Sequence, residues 1–339
     1  VPTAAPHLTL IIPGLLWPAH SAAAVMAELP LPALSRLLTD AQITRRAPAT
    51  ADDFLLEAYG LNPANTARAG LRALGDGLDD EGLLCADPVA LTFARESLIL
   101  AGPESLEITP DEAAALIDAL NAALPDTGRF IAPHPARWYW QAGNEHTPTP
   151  RTSPLADVLG RRIDNYLPHN PAWRRLMNEI QMVFHHHPVS AAREQCGAPR
   201  INSLWLWGDG ARPALTEGPG MLADSTLAKG LARAAKRPIA PLPDRFPALT
   251  EGHTLALIDW AQHSALTQDI DPWREAASKI ESHWLAPALD ALQRKRLTLS
   301  LHLPGDTQSL TLACRKPWLR GLFSKPLPIP RFLESLQSP

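Results

Sequence analysis

The sequence predicts an α/β protein built on a mostly parallel sheet flanked by helices. Three observations carry this. A short apolar run, Leu8-Thr-Leu-Ile-Ile-Pro13-Gly14, stops at a Pro-Gly breaker and reads as a buried, parallel first strand. Between residues 224 and 314 helical and strand patterns alternate, the order that crossover helices over a parallel sheet require. The chain has 339 residues, 45% of them hydrophobic and 19% charged, so it buries a sizeable interior and exceeds one ordinary core. Two domains, or one domain with an insertion, follow.

Each element has its own signal. After the first strand, residues 22–38 and 51–59 read as helices, and the turn-rich 76–82 marks a boundary. Residues 87–100 read as two short strands or one bent strand. Thr109-Pro110-Asp111-Glu112 has the form of a capping box opening a helix to about residue 123. Residues 130–140 read as edge strands broken by prolines, and 147–154 as a Pro/Thr loop. Residues 173–196 carry a helical apolar stripe that Pro188 must kink or split. Residues 201–207 form a strand ended by Gly208-Asp209-Gly210. Then come a helix at 224–235 with Asp224 as its cap, a strand at 253–258 and a long helix at 271–292. Strands at 297–303 and 310–314 pair across Pro304-Gly305-Asp306, as an antiparallel hairpin at the sheet edge.

The composition excludes several classes. The net charge is −4 with acids and bases interspersed, so no basic stripe suits nucleic acid. No 18-residue apolar run suits a membrane span, and no signal peptide is expected at the amino terminus. Cys85, Cys196 and Cys314 form no CxxC pair, which predicts free thiols and a reducing, cytoplasmic compartment.

The middle third is motif-dense. In order it holds Asp87-Pro88-Val, Ile108-Thr-Pro-Asp-Glu112-Ala and Tyr166-Leu-Pro168. It ends on His187-Pro188-Val189-Ser190-x-x-Arg193-x-x-x-Gly197-x-x-x-Ile201-Asn202-Ser203-Leu204-Trp205-Leu206-Trp207-Gly208-Asp209-Gly210. This resembles the insertion domain and return strand of archaeal-type cofactor-independent phosphoglycerate mutases, in the alkaline-phosphatase superfamily. It resembles more closely still bacterial proteins of the phosphoglycerate-mutase-like or RpfE-type regulatory kind. The order of elements extends the resemblance over most of the chain. It implies an alkaline-phosphatase-like core from residues 1–84 and 199–339, with an α+β domain inserted at 85–198. It implies a serine nucleophile and two divalent metals (Mn, Zn or Mg) held by Asp and His.

The chain departs from that pattern at its two ends. Where the family has an Asp-Gly pair after the first strand, Pro13-Gly14 stands, and proline offers no donor. Where the nucleophilic serine lies, the chain reads Ala49-Thr50-Ala51-Asp52-Asp53, with Thr50 the one hydroxyl. The late strands carry no Asp-His pair. A hard divalent pair needs several converging carboxylates. The expectation is a catalytically degenerate protein with no cofactor, acting on a protein partner or a small anionic ligand. The alternative is an active phosphomutase or phosphotransferase using the two metals.

The candidate residues each have two readings. Arg193 and Asn202 either hold an anion, for which an arginine fork is suited, or staple a helix to the next strand. His187 and Trp207 either line a pocket or pack. Asp209 follows a strand end, where open sheets bind ligands. Asp259, His263, His302 and Asp306 either form a remnant metal site or are solvated loop residues. His185 and His186 flank His187 but point in other directions on a helix, so the three do not share one ion. Arg315, Lys316, Arg320 and Lys325, interleaved with Trp318 and Phe323, either dock a partner or form a solvated tail.

Overall fold

The computed structural model describes residues 5–94, 97–143, 152–159, 162–305, 307–314 and 328–337. The basic-aromatic segment 315–327 and Asp306 lie outside the described residues, as does most of the 147–154 loop. The described strands are β1 (His7–Ile11), β2 (Gln42–Arg46), β3 (Leu83–Ala94), β4 (Ser97–Ala101), β5 (Gly128–His134), β6 (Arg137–Ala142), β7 (Ser203–Trp207), β8 (Gly220–Leu222), β9 (Ile239–Ala240), β10 (His253–Leu257), β11 (Thr298–Leu303) and β12 (Ser309–Cys314). The chain divides into two compact units, Val1–Pro63 with Leu215–Pro339, and Ala64–Ala214.

The first unit is built on a seven-stranded sheet of order β2-β12-β11-β1-β10-β8-β9. Strands β11, β1, β10, β8 and β9 are parallel. The β11–β12 hairpin forms as expected, but β2 pairs antiparallel outside it. Gln-Ile-Thr-Arg-Arg carries no apolar run because an edge strand buries little and is protected by charge. Alternation along the strands sets the core. Leu8, Leu10, Leu299, Leu301, Leu310 and Leu312 share one cluster with Trp273, Ile280 and Trp284 of the long helical path. That path runs Ile270–Ile280, a π turn Glu281–Leu285, then Ala286–Gln293. The stretch 22–38 breaks into Ala19–Val25 and Pro32–Asp40, with Pro32 in the first turn of the second helix. Ser225, not Asp224, caps helix Thr226–Ala234, its side chain accepting from the Ala228 N–H.

The second unit is antiparallel throughout. Twelve-residue β3 pairs with β6, β7 and β4 in turn along its length, and β5 pairs with β6. Helices Pro110–Ala123 and Pro171–His186 cover one face with Leu116, Leu120, Trp173 and Ile180 against Trp138, Trp140, Leu204 and Leu206. Cys85, Tyr139, Trp205 and Trp207 share the other cluster with Ala69 and Ala73 of helix Ala69–Gly75. The capping box at Thr109–Glu112 is complete. Residues 173–196 split at His187 into Pro171–His186 and Pro188–Gln195. Residues 64–84 and 199–214, which the sequence joins to the outer segments, belong to this unit. For 199–214 the reason is pairing, since β7 lies along β3 from Cys85↔Trp207 to Val89↔Ser203; for 64–84 it is helix Ala69–Gly75, which packs Ala69 and Ala73 on that sheet. Among the described residues no helix is long and apolar enough to cross a membrane.

Candidate functional site

Open α/β sheets bind ligands beyond the carboxyl ends of their parallel strands. In the first unit these are the ends of β1, β8, β9, β10 and β11. β1 runs into a buried Pro13 and then Gly14, whose φ is +73°. A Cβ on Gly14 would sit 2.7 Å from the Ala261 carbonyl oxygen, so the turn requires glycine. The Trp273 indole N–H donates to the Gly14 carbonyl at 2.7 Å and fixes the turn to the long helical path.

Thr50 lies beside the end of β11. Ala49 bridges Gly305, and the Ser309 hydroxyl knits the two. It accepts from the N–H groups of Ala49 (3.0 Å) and Gly305 (3.2 Å) and donates to the Ala49 carbonyl (3.2 Å). The Thr50 Oγ1 accepts from the Asp53 N–H at 3.2 Å, and the Asp53 carboxylate accepts from the Thr50 N–H at 2.7 Å. The hydroxyl thus caps helix Ala51–Ala58.

His302 sits on β11 opposite Ile11. Its Nδ1 lies 3.0 Å from the Thr311 hydroxyl, and its ring centroid lies 4.7 Å from that of Phe54. Burial pushes its pKa down to about 4. Asp259 and His263 follow β10 on the exposed surface. Among the described residues no three His, Cys, Asp or Glu side chains converge to hold a metal ion. A capped Thr50, a buried Pro13 and a His302 turned to Thr311 do not fit a pair of hard divalent cations, which need several converging oxygen ligands.

The motif residues of the second unit are engaged locally. Arg193 is 4% exposed. Its guanidinium donates to both carboxylate oxygens of Glu112 (2.8 and 2.9 Å), to the Pro199 carbonyl (2.7 Å) and to the Leu106 carbonyl. The fork expected to hold an anion is therefore filled by the capping-box glutamate. The Asn202 amide exchanges two hydrogen bonds with the backbone of Leu91 (2.8 and 2.9 Å), acting as one more rung of the β7–β3 ladder. The His187 Nδ1 accepts from the Val189 N–H at 3.2 Å and caps the second half of the split helix, while His185 and His186 are exposed. Gly208 has φ +79°, and the Ala69 N–H donates to its carbonyl at 3.0 Å. A Cβ there would lie 2.9 Å from the Ala69 nitrogen. Asp209 follows in this turn, which ends an antiparallel strand, so the parallel-sheet rule does not extend to it.

A buried ionic network escaped the sequence. Arg72 makes a bidentate pair with Asp87 (2.7 and 2.8 Å) and donates to the Tyr139 hydroxyl (3.1 Å) and the Trp138 carbonyl (3.1 Å). The Trp207 indole N–H donates to Asp87 at 2.7 Å. The Tyr139 hydroxyl donates to Asp76, which also pairs with Arg137, both at 2.7 Å. Burial opposes the charge on Arg72, but the facing Asp87 carboxylate outweighs it and holds the pKa well above its ordinary value. Burial raises the Tyr139 phenol as well. The readable signal was a lone Asp87 inside Leu-Leu-Cys-Ala-Asp-Pro-Val-Ala, since a charge in a buried strand needs a partner.

The chain has detectable relatives. It is 30% identical over 178 residues, 50% of its length, to the 2,3-bisphosphoglycerate-independent phosphoglycerate mutase of Methanosarcina mazei. It is 32% identical over 160 residues, 46% of its length, to the 2,3-bisphosphoglycerate-independent phosphoglycerate mutase 2 of Methanothermobacter thermautotrophicus. Its relatives are cofactor-independent phosphoglycerate mutases. The matches span 44% and 38% of those two proteins, less than half of each. No family model matches the chain. The fold is similar to that of the PH0037 protein from Pyrococcus horikoshii, with a TM-score of 0.52 at 16% identity over 93% of this chain and 88% of that one.

Proposed function

We propose that this chain is a catalytically degenerate phosphoglycerate-mutase-like protein. On this reading it works by binding, as a regulatory protein of the RpfE type, on a protein partner or a small anionic ligand in the reducing cytoplasm. The observation that carries the reading is Thr50. At the position where the resemblance places a nucleophile, its hydroxyl oxygen accepts the Asp53 N–H in a capping box. A hydroxyl attacks phosphorus only when a metal or base draws off its proton. Pro13 near the end of β1 supports the same reading, because where the resemblance expects a carboxylate it offers a side chain that has no donor atom. The mutase relatives favour the phosphoglycerate-binding ancestry of the scaffold.

The test is a phosphoglycerate mutase assay of the purified protein with Mn2+, Mg2+ or Zn2+, before and after chelation. The expected result is turnover no faster than the protein-free control with every metal. Chelator-sensitive turnover that disappears in Thr50→Val would overturn the reading and establish the metal-dependent phosphomutase or phosphotransferase instead.

A further inference from the structure

The parallel sheet of the first unit carries a second cluster of polar groups at its opposite, amino-terminal edge. His7 on β1 is in register with His253 on β10 and with Thr298 on β11. Thr9, two residues on, shares the face of His7, as Ser300 shares that of Thr298. The Thr9 Oγ1 lies 2.9 Å from the His253 Nε2 and 3.3 Å from the His7 Nε2, and the Ser300 Oγ lies 3.3 Å from the same His7 nitrogen. The two imidazole centroids are 4.7 Å apart, edge to face. The Thr9 hydroxyl thus lies within reach of both imidazole Nε2 atoms, and the Ser300 hydroxyl within reach of that of His7.

We propose that His7 and His253 form a binding site for a borderline divalent transition-metal ion, Zn2+ or Cu2+, completed by the Thr9 and Ser300 hydroxyls and by water. Neutral imidazole suits these ions, whereas Mg2+ and Mn2+ prefer carboxylate oxygens. The outer contacts are those of a metal-binding histidine. The His7 Nδ1 lies 2.8 Å from the Thr298 Oγ1, so an Nδ1–H donated there leaves the Nε2 lone pair aimed at the cluster. Burial lowers the pKa of both histidines, and for His253 the neighbouring His7 adds to it, which favours the neutral imidazole. An ion held there would lie about 2.0–2.1 Å from each nitrogen, with the Thr9 hydroxyl keeping its proton and turning an oxygen lone pair toward it. His253 is exposed, which leaves an open side for water ligands. Among the described residues the site has two imidazoles and no third acidic or thiolate ligand, so its affinity is moderate and its geometry open.

Calorimetric titration with Zn2+ and electron paramagnetic resonance of the Cu2+-loaded protein test the assignment. The expected result is saturable one-to-one binding, a two-nitrogen Cu2+ spectrum and no competition from Mg2+. His253→Gln and His7→Gln are each expected to weaken binding about tenfold or more. The double variant His185→Gln/His186→Gln, which alters the exposed histidine pair of the second unit, is expected to bind like the parent. Circular dichroism confirms that each variant is folded, and His253, being exposed, tolerates replacement. Absence of saturable binding would overturn the proposal. So would binding that survives His253→Gln and vanishes in the His185/His186 variant.

Discussion

At residue scale, Thr50 has two prospective jobs, and only one is visible in its geometry. If it is a cap, Thr50→Ala lowers stability by about 1 kcal/mol while Thr50→Ser stays near the parent. Urea unfolding of both variants measures this. His302 gives a pH signature. Its pKa falls from 6.5 to about 4 on folding, so between those values the unfolded chain binds the proton more tightly. Stability from this group is complete above about pH 6.5 and is lost as pH falls toward 4, by at most about 3 kcal/mol. The difference in unfolding free energy between the parent and His302→Gln, followed from pH 7 to 4, should shrink along that course. A flat difference would count against a neutral buried imidazole.

At the scale of elements, the π turn Glu281–Leu285 places a carboxylate, 6% exposed, against the first turn of helix Pro32–Asp40. Glu281 accepts from the N–H groups of Ala33 (2.5 Å) and Leu34 (3.1 Å), serving a helix that has no side-chain cap of its own. Burial raises its pKa despite those bonds. The folded state therefore holds the proton more tightly, and stability from this group is fullest below pH 4.5 and declines as pH rises through the folded value. Replacing it by glutamine should remove that decline, seen as a melting-temperature gap between variant and parent that changes from pH 4 upward. The Arg72–Asp87 pair belongs to the same scale, because it joins helix Ala69–Gly75 to β3. Asp87→Asn leaves a buried guanidinium uncompensated and should cost about 3–5 kcal/mol, against about 1–2 kcal/mol for Trp207→Phe, which loses one indole bond.

What the sequence disclosed follows from the same physics. The capping box at Thr109, the break at Pro188 and the apolar β1 are local signals, set by neighbours a few residues away. The β3–β7 pairing joins Cys85 to Trp207 and leaves no local trace, so the sequence ends the inserted unit at residue 198, about sixteen residues before Ala214. The roles of Arg193 and Asn202 were open for a related cause. Motif spacing names the side chain that is present, but only the fold reveals that Glu112 and Leu91 already occupy it. The nearness of His7 and His253 has no local signal, because 246 residues separate two rings that β1 and β10 bring into register.

For the whole molecule, Ala64–Ala214 is a contiguous segment with its own sheet and two apolar clusters. A segment of this size with its own core can fold alone. Expressed by itself, it should show a cooperative thermal transition and dispersed amide resonances, and a molten or unfolded product would refute its autonomy.

The position of β1 has a consequence for biosynthesis. It is flanked by β10 and β11, whose residues begin at His253 and Thr298. At the pace of translation, about 5–20 residues per second, these partners emerge on the order of tens of seconds after it. Throughout that interval Leu8, Leu10 and Ile12 have no sheet to join. Strand β1 is made long before its partners, and a nascent chain so arranged is a natural client for holdase chaperones until β10 and β11 arrive.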